Sequence, residues 1–196
     1  MRTVLASASP RRRELLEMLG AENLVVLPAK GEESLPEHTS PDRIVEALAL
    51  SKAREVAQIW GEKEEHAEDD VIIAADTIVW HCDRVFGKPH SLEEAFAMLK
   101  SLSGNTHEVY TGVAVLRNGQ EVIGYERSAV TFRELSDREI WAYNDTGEPM
   151  DKAGAYGAQG IGSLFVRGIE GDFFNVMGLP LCRLGEMLKE TGVQLL

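Results

Sequence analysis

The stretch MRTVLASASPRRRELLEMLG (residues 1–20) decides the fold class, because it joins a short apolar segment to a capped helix. Residues 1–6 predict a short buried strand. Ser9 is a favourable N-cap and Pro10 suits the first helical position, so the spacing predicts a helix from Pro10 to about Leu19. A strand that leads directly into a helix is typical of α/β proteins.

The rest of the chain continues this mixture of strands and helices. The patterns predict strands at 23–27, 71–76, 106–116, 121–133 and 163–169, a hairpin over 77–89, and helices at 41–60, 91–102, 136–144 and 179–190. Capping boxes of the Ser-x-x-Glu type open two helices at Ser91 and Ser136, and Asn118-Gly119 predicts the turn between the two longest strands. We predict one α/β domain over residues 1–196, with two lobes and a mixed sheet flanked by helices.

Composition narrows the function classes. The chain has 196 residues, 44% of them hydrophobic, and a formal net charge of -12, which argues against general binding to nucleic acid or to a membrane surface. No apolar run reaches the roughly 18 residues of a membrane span, and the first residues do not resemble a signal peptide. Cys82 and Cys182 are far apart and have no metal-type spacing, so we expect reduced thiols in a cytoplasmic protein.

Three arginines lie at the start of the first predicted helix, where the helix dipole disfavours cations. That placement is explained if an anion binds there, because free amides and guanidinium groups together form a phosphate or carboxylate site. Helical spacing directs Arg11 and Arg12 towards the apolar face of the helix and Arg13 towards solvent. A solubilising basic turn is the simpler alternative.

Other charged residues stand at unusual positions. Lys52 falls within the apolar stripe of the second helix, where it either extends to solvent or reaches a partner in a cleft. Asp76 follows the apolar run 71–75 at a predicted strand end, where α/β proteins often place catalytic or metal-binding acids, although a turn-forming Asp is the alternative. Lys88 lies in a hairpin and Glu32 in a polar loop, where both would ordinarily be solvated.

Motifs for other chemistries are missing from the sequence. The glycine-rich stretch GAYGAQGIG (154–162) contains no GxGxxG, and the chain has no GxxxxGK[ST], HExxH or GxSxG pattern. The cations and acids described above instead indicate phosphoanhydride chemistry. Cations would neutralise a polyphosphate, and carboxylates would hold a divalent metal and a water molecule.

Six blocks, spread over about residues 4–188, resemble the Maf family of nucleoside triphosphate pyrophosphatases: LASASPRRRELL, AADTIV, GKP, LSGNTHEVYTGV, EPMDKAGAYGAQGIG and GDFFNVMGLPL. The resemblance implies a fold similar to that of the inosine-triphosphate pyrophosphatases, with an active-site cleft between two lobes. It also implies hydrolysis of a nucleoside triphosphate to the monophosphate and pyrophosphate, with a divalent cation such as Mg²⁺ or Mn²⁺.

The resemblance implies roles for individual residues. Asp76 matches the acid described as catalytic, acting as a base or as a metal ligand, and Glu32 matches a glutamate that helps to hold the metal. The positions that match phosphate contacts are Ser7, Arg11, Arg12, Lys52 and Lys88.

Three positions indicate the substrate branch. The chain has Arg11, Thr77 and Gln159 at these positions, and the resemblance is to the dTTP/UTP pyrophosphatase branch of the family, which has the same residue types there. The amide of Gln159 can pair with a uracil or thymine edge. The implied partner is the nucleoside triphosphate, and family members suggest a homodimer. A nucleotide-binding regulator of cell division with little turnover is the alternative function, and a structural protein with a basic surface turn is a third.

Overall fold

The computed structural model describes residues 1–21, 23–31 and 39–195. The strands in these ranges are β1 (Thr3–Leu5), β2 (Leu24–Val26), β3 (Val71–His81), β4 (Arg84–Phe86), β5 (Thr106–Arg117), β6 (Gln120–Phe132) and β7 (Val166–Glu170). The helices are α1 (Pro10–Met18), α2 (Pro41–Gly61), α3 (Leu92–Leu102), α4 (Asp137–Asn144), α5 (Phe173–Met177) and α6 (Leu181–Glu190). None of the helices in these ranges is both long enough and apolar enough to cross a lipid bilayer.

The strands form a mixed sheet of the predicted kind. Its order is β2-β1-β3-β5-β6-β7, and β4 pairs with β3. β1 is parallel to both of its neighbours, with Thr3 opposite Leu24 on one side and Val71 on the other. β7 runs antiparallel to β6. The prediction of an α/β protein with a mixed sheet and flanking helices is confirmed.

The prediction that β3 ends at Asp76 is wrong, because the strand continues to His81. The segment after Asp76 was expected to belong only to a hairpin. The first arm of this hairpin is the second half of β3, and the residues from Val79 to His81 pair with β4. Cys82 and Asp83 turn this hairpin at φ values of 50° and 57°. Asp76 therefore lies in the middle of a long strand.

Helix starts agree closely with the sequence signals. The Ser9 hydroxyl accepts a hydrogen bond from the Arg12 amide, and Ser136 forms a complete capping box with Glu139. At α3 the Ser91 hydroxyl caps as predicted, but the Glu94 carboxylate accepts from the backbone N–H of His90, one residue before the cap. The predicted capping box at α3 is therefore only half formed.

The last predicted strand begins later than expected, and one helix was missed. Residues Ile161–Phe165 form a 3₁₀ segment, so β7 starts at Val166 and not at residue 163. α5 has only five residues, which is too short to show a helical repeat in the sequence.

The chain divides into two compact units. The first unit comprises residues 1–76, 111–126 and 178–196, and the second comprises 77–110 and 127–177. Buried residues from β1, α2 and β3 form the apolar core of the first unit, among them Val4, Ala53 and Ile72. The second unit has its own core, formed by buried residues that include Leu99 and Phe132.

Candidate functional site

An ion pair between Lys52 and Asp76 is the main feature of the first unit. The Lys52 ammonium donates a hydrogen bond to Oδ1 of Asp76. The side chains are 19% and 10% exposed, respectively. Of the two interpretations that the sequence left open for Lys52, the structure supports the one in which it reaches a partner. A carboxylate in such a position is costly to bury without a counter-charge, and Lys52 supplies one.

Local packing explains why these two side chains meet. Ala49, Ala53 and Val56 are fully buried on the face of α2 that also bears Lys52. Gly112 in β5 permits the helix to approach closely, because a Cβ atom there would lie only 2.1 Å from the carbonyl oxygen of Val45 in α2. The backbone of α2 is thereby held against the sheet that contains Asp76.

Ser7 and Arg12 form a second group in the same unit. Ser7 follows β1, which pairs with β3 in parallel. Its hydroxyl accepts hydrogen bonds from Nη1 of Arg12 at 3.1 Å and from the Ser9 amide at 3.2 Å. Nε of Arg12 donates to the carbonyl oxygen of Gly178 at 2.7 Å. These contacts hold the Arg12 guanidinium beside the N-terminus of α1.

The predicted difference in burial between Arg11 and Arg12 on one side and Arg13 on the other is confirmed. Arg11 and Arg12 are half-buried, whereas Arg13 is exposed and pairs with Glu17 one turn along the helix. The first turn of α1 contains no acidic side chain that would neutralise this helix end. The amides and dipole at the start of α1 therefore favour an anion, as the sequence indicated.

The remaining predicted residues belong to the second unit or lie outside the described residues. Thr77 is half-buried in β3, directly after Asp76, whereas Lys88 and Gln159 are exposed in loops. The loop of Lys88 is joined to the glycine-rich loop, because the Gly154 amide donates to the carbonyl oxygen of Gly87 at 3.0 Å. Glu32 falls in 32–38, outside the described ranges.

Sequence reasoning missed several residues that organise the glycine-rich loop. The Glu148 carboxylate accepts hydrogen bonds from the Tyr143 hydroxyl at 2.9 Å and from the amides of Ile161 and Gly162 at 3.0 and 3.1 Å. Glu148 had appeared only as one letter of the block EPMDKAGAYGAQGIG, and no spacing rule predicts that it would contact residues 13 and 14 positions further along the chain.

His107 was missed as well. It is 1% exposed, and its Nε2 lies 2.8 Å from the hydroxyl of Tyr156. Burial, with a smaller contribution from His81, lowers the pKa of His107 from 6.5 to about 3. The imidazole is therefore neutral at physiological pH and helps to hold Tyr156, which precedes the tip of the glycine-rich loop.

The donor chemistry at Asp76 is compatible with a magnesium-type cation. Among residues 1–21, 23–31 and 39–195, no group of three or more His, Cys, Asp or Glu side chains could hold a metal ion by itself. Mg²⁺ does not need such a cage, because it is commonly bound by one or two carboxylates together with waters and substrate phosphates. Asp76 supplies one carboxylate of that kind.

Taken together, the first unit contains an ion-paired carboxylate and an ordered arginine at a helix N-terminus. The carboxylate can hold a cation or take a proton from water, and the arginine with the helix amides can bind a phosphate. Groups of these kinds stabilise charge at phosphoryl groups in phosphoanhydride hydrolysis.

Comparison with known proteins adds an independent finding. The sequence model described as "Maf-like protein" matches residues 2–191. A protein of Moorella thermoacetica named dTTP/UTP pyrophosphatase is 53% identical over 192 residues, covering 97% of this chain and 95% of that protein. A protein of Bacillus anthracis with the same name is 47% identical over 190 residues, again covering 97% and 95%.

One solved structure among the matches is titled as a nucleoside-triphosphatase / dITP/XTP pyrophosphatase from Mycobacterium abscessus. It is 18% identical, with a TM-score of 0.40, and the match covers 69% of this chain and 76% of the other.

Proposed function

This chain belongs to the Maf family, and we propose that it hydrolyses dTTP and UTP to the nucleoside monophosphate and pyrophosphate. Two relatives of nearly the same length are named for that activity, at 47% and 53% identity. The relatives support the substrate, and the residues of this chain supply a chemical rationale for it.

The ion pair between Lys52 and Asp76 is the observation that carries the proposal. The pair joins Lys52, on the face of α2 that packs against the sheet, to Asp76 in the middle of β3. Removing both charges from water is costly, so the pair contributes little to stability, and a role in the reaction accounts for its presence. In the proposed reaction Asp76 takes a proton from the attacking water or holds the metal, and Lys52 orients Asp76 and offsets charge on the phosphates.

We assign the remaining phosphate contacts to the N-terminus of α1 and, from the family resemblance, to Lys88. Arg12 is held in place by Ser7 and Gly178, so little side-chain entropy is lost when it meets a phosphate. Arg11 and Lys88 contribute further positive charge. Phosphate recognition by guanidinium groups and helix amides is well suited to a triphosphate.

A divalent cation, Mg²⁺ or Mn²⁺, is part of the proposal, with Asp76 and Glu32 as its protein ligands. When bound, such an ion neutralises charge that develops on the phosphate oxygens. Asp76 has the oxygen donors that this class of cation prefers.

Selection of the base is assigned to Thr77 and Gln159. Gln159 has both a donor and an acceptor, which a uracil or thymine edge can match. The cleft and the homodimer implied by the family resemblance stay predictions, as does the cytoplasmic location expected from the cysteines and the first residues.

Pyrophosphate release from a panel of nucleotides tests the proposal. Purified protein with Mg²⁺ is given dTTP, UTP, dCTP, CTP, dATP and dGTP in turn, and both pyrophosphate and inorganic phosphate are measured. We expect pyrophosphate, with the highest kcat/KM for dTTP and UTP. Tight binding of dTTP without pyrophosphate release would instead support a nucleotide-binding regulator, and release of inorganic phosphate alone would exclude cleavage at the α-phosphorus.

A further inference from the structure

The tip of the glycine-rich loop is exposed, but both of its ends are firmly held. Gln159 lies at this tip. On one side the ring of Tyr156 packs edge-on against Phe132, with centroids 4.7 Å apart, and its hydroxyl bonds to His107. On the other side the amides of Ile161 and Gly162 are bound by Glu148.

Glu148 and Tyr143 connect the two ends of the loop. The Tyr143 hydroxyl donates to Glu148 and also accepts from the Gly157 amide at 3.2 Å. The Glu148 carboxylate therefore accepts three hydrogen bonds. The Tyr143 hydroxyl also connects it to Gly157, where the tip of the loop begins. Burial alone would raise the pKa of Glu148, but the bonds from Gly162, Ile161 and Tyr143 lower it below its ordinary value, so the acceptor remains ionised.

Glycines allow the loop to close tightly around this carboxylate. A Cβ atom at Gly160, where φ is +120°, would lie 3.0 Å from a Glu148 carboxylate oxygen. A Cβ atom at Gly162 would lie 2.6 Å from the carbonyl oxygen of Gly157. Glycine is therefore required at position 162 and favoured by the positive φ at position 160, and these two residues let the loop pass close to the Glu148 carboxylate.

We propose that Glu148 is a positioning residue for substrate selection: its carboxylate fixes residues 157–162 so that Gln159 is presented to the base in one geometry. The inference rests on the proposed function, in which Gln159 reads the pyrimidine edge. A hydrogen bond discriminates between thymine and cytosine only if the amide is held within a narrow range of positions, since a loose amide adapts to either base.

The test compares Glu148→Gln and Tyr143→Phe with a matched control, Glu139→Gln. Gln at 148 keeps the size of the side chain but has one acceptor oxygen where the carboxylate had two. Tyr143→Phe removes only the hydroxyl. It keeps the ring, which packs edge-on against Phe165 with ring centroids 4.9 Å apart. Glu139 is also a carboxylate in the second unit that accepts a backbone N–H, but it does so in the capping box of α4.

Two measurements are made on each protein. Hydrogen exchange follows the amides of 157–162, and steady-state kinetics give the ratio of kcat/KM for dTTP to that for dCTP. We expect faster exchange in both loop variants and a fall of about tenfold in the ratio. The fall should come from dTTP, with turnover of dCTP little changed, because the phosphate-binding residues are not altered. Glu139→Gln should keep the wild-type ratio.

The outcomes separate the inference from the proposed function. If wild type shows no preference for dTTP over dCTP, the proposed function is wrong and the inference is wrong with it. If wild type has the preference and Glu148→Gln keeps it while its loop exchanges faster, the inference alone is overturned. An equal loss of activity on both nucleotides would also overturn it, because that result indicates a purely structural role.

Discussion

Lowering the pH should destabilise the folded chain through His107, and replacing this residue should remove that sensitivity. The ring is 1% exposed, packs edge-on against Phe132 with centroids 5.0 Å apart, and bonds through Nε2 to Tyr156. The Tyr156 hydroxyl bonds to the ring, and His81 disfavours its charged form. Nδ1 has no hydrogen-bond partner among the described residues, so the N–H that the charged ring carries at Nδ1 would be unsatisfied.

The size of the effect follows from the shift in pKa. In the unfolded chain the imidazole has its ordinary pKa of 6.5, and in the folded chain the pKa is about 3. Because the folded value is the lower one, the unfolded state binds the proton first, and stability is lost as the pH falls below 6.5. Between about pH 7.5 and about pH 5 the loss from this one residue is about 2 kcal/mol.

Urea unfolding of wild type, His107→Gln and His90→Gln at both pH values measures this loss. Gln at 107 can still bond to Tyr156 but does not titrate, so the loss on acidification should be about 2 kcal/mol smaller than in wild type. His90 is exposed, so His90→Gln should behave like wild type. If His107→Gln and wild type lose the same stability on acidification, the buried neutral imidazole is not the cause.

Three other predictions concern the site and the packing that supports it. Arg12→Gln should lower kcat/KM for dTTP by about tenfold to a hundredfold, because a hydrogen bond to a charged group contributes about 1.5–3 kcal/mol. Arg13→Gln should change it little, and equal losses in the two variants would contradict the assignment. Gly112→Ala should lower the free energy of unfolding in urea by at least about 1–3 kcal/mol, since the new methyl group meets the backbone of α2. Gly185→Ala in α6, with open space around it, should be neutral or stabilising, and a stable Gly112→Ala would refute the close approach. A chelator should stop pyrophosphate release, and added Mg²⁺ or Mn²⁺ should restore it; turnover unaffected by the chelator would argue against the metal.

Signals contained within a few residues predicted most of the fold. Ser9 and Pro10 define the start of α1, and Asn118-Gly119 turns β5 into β6 with φ values of 51° and 75°. The length of β3 was underestimated because the segment after Asp76 pairs with β4, and strand pairing depends on partners that a local pattern does not contain.

Within the candidate site, the sequence predicted how individual side chains are buried, whereas their functional roles stay predictions. Helical spacing separated Arg12 from Arg13, and it showed that Lys52 needed an explanation. It could not show that Arg12 contacts Gly178, because the two residues are 166 positions apart. The contacts of Glu148 were also beyond reach, since they depend on a non-repetitive loop path set by glycines.

The most direct test of the account is the turnover of dTTP by Asp76→Asn, measured beside Asp83→Asn. Asp83 turns the β3–β4 hairpin at a φ of 57°, a conformation that Asn also tolerates, so its variant controls for the same chemical change on an exposed residue. The account predicts that Asp76→Asn loses about 10²- to 10⁴-fold in kcat while dTTP still raises its melting temperature, and that Asp83→Asn keeps wild-type turnover. Near-normal turnover by Asp76→Asn would contradict the assignment of Asp76 as the catalytic carboxylate.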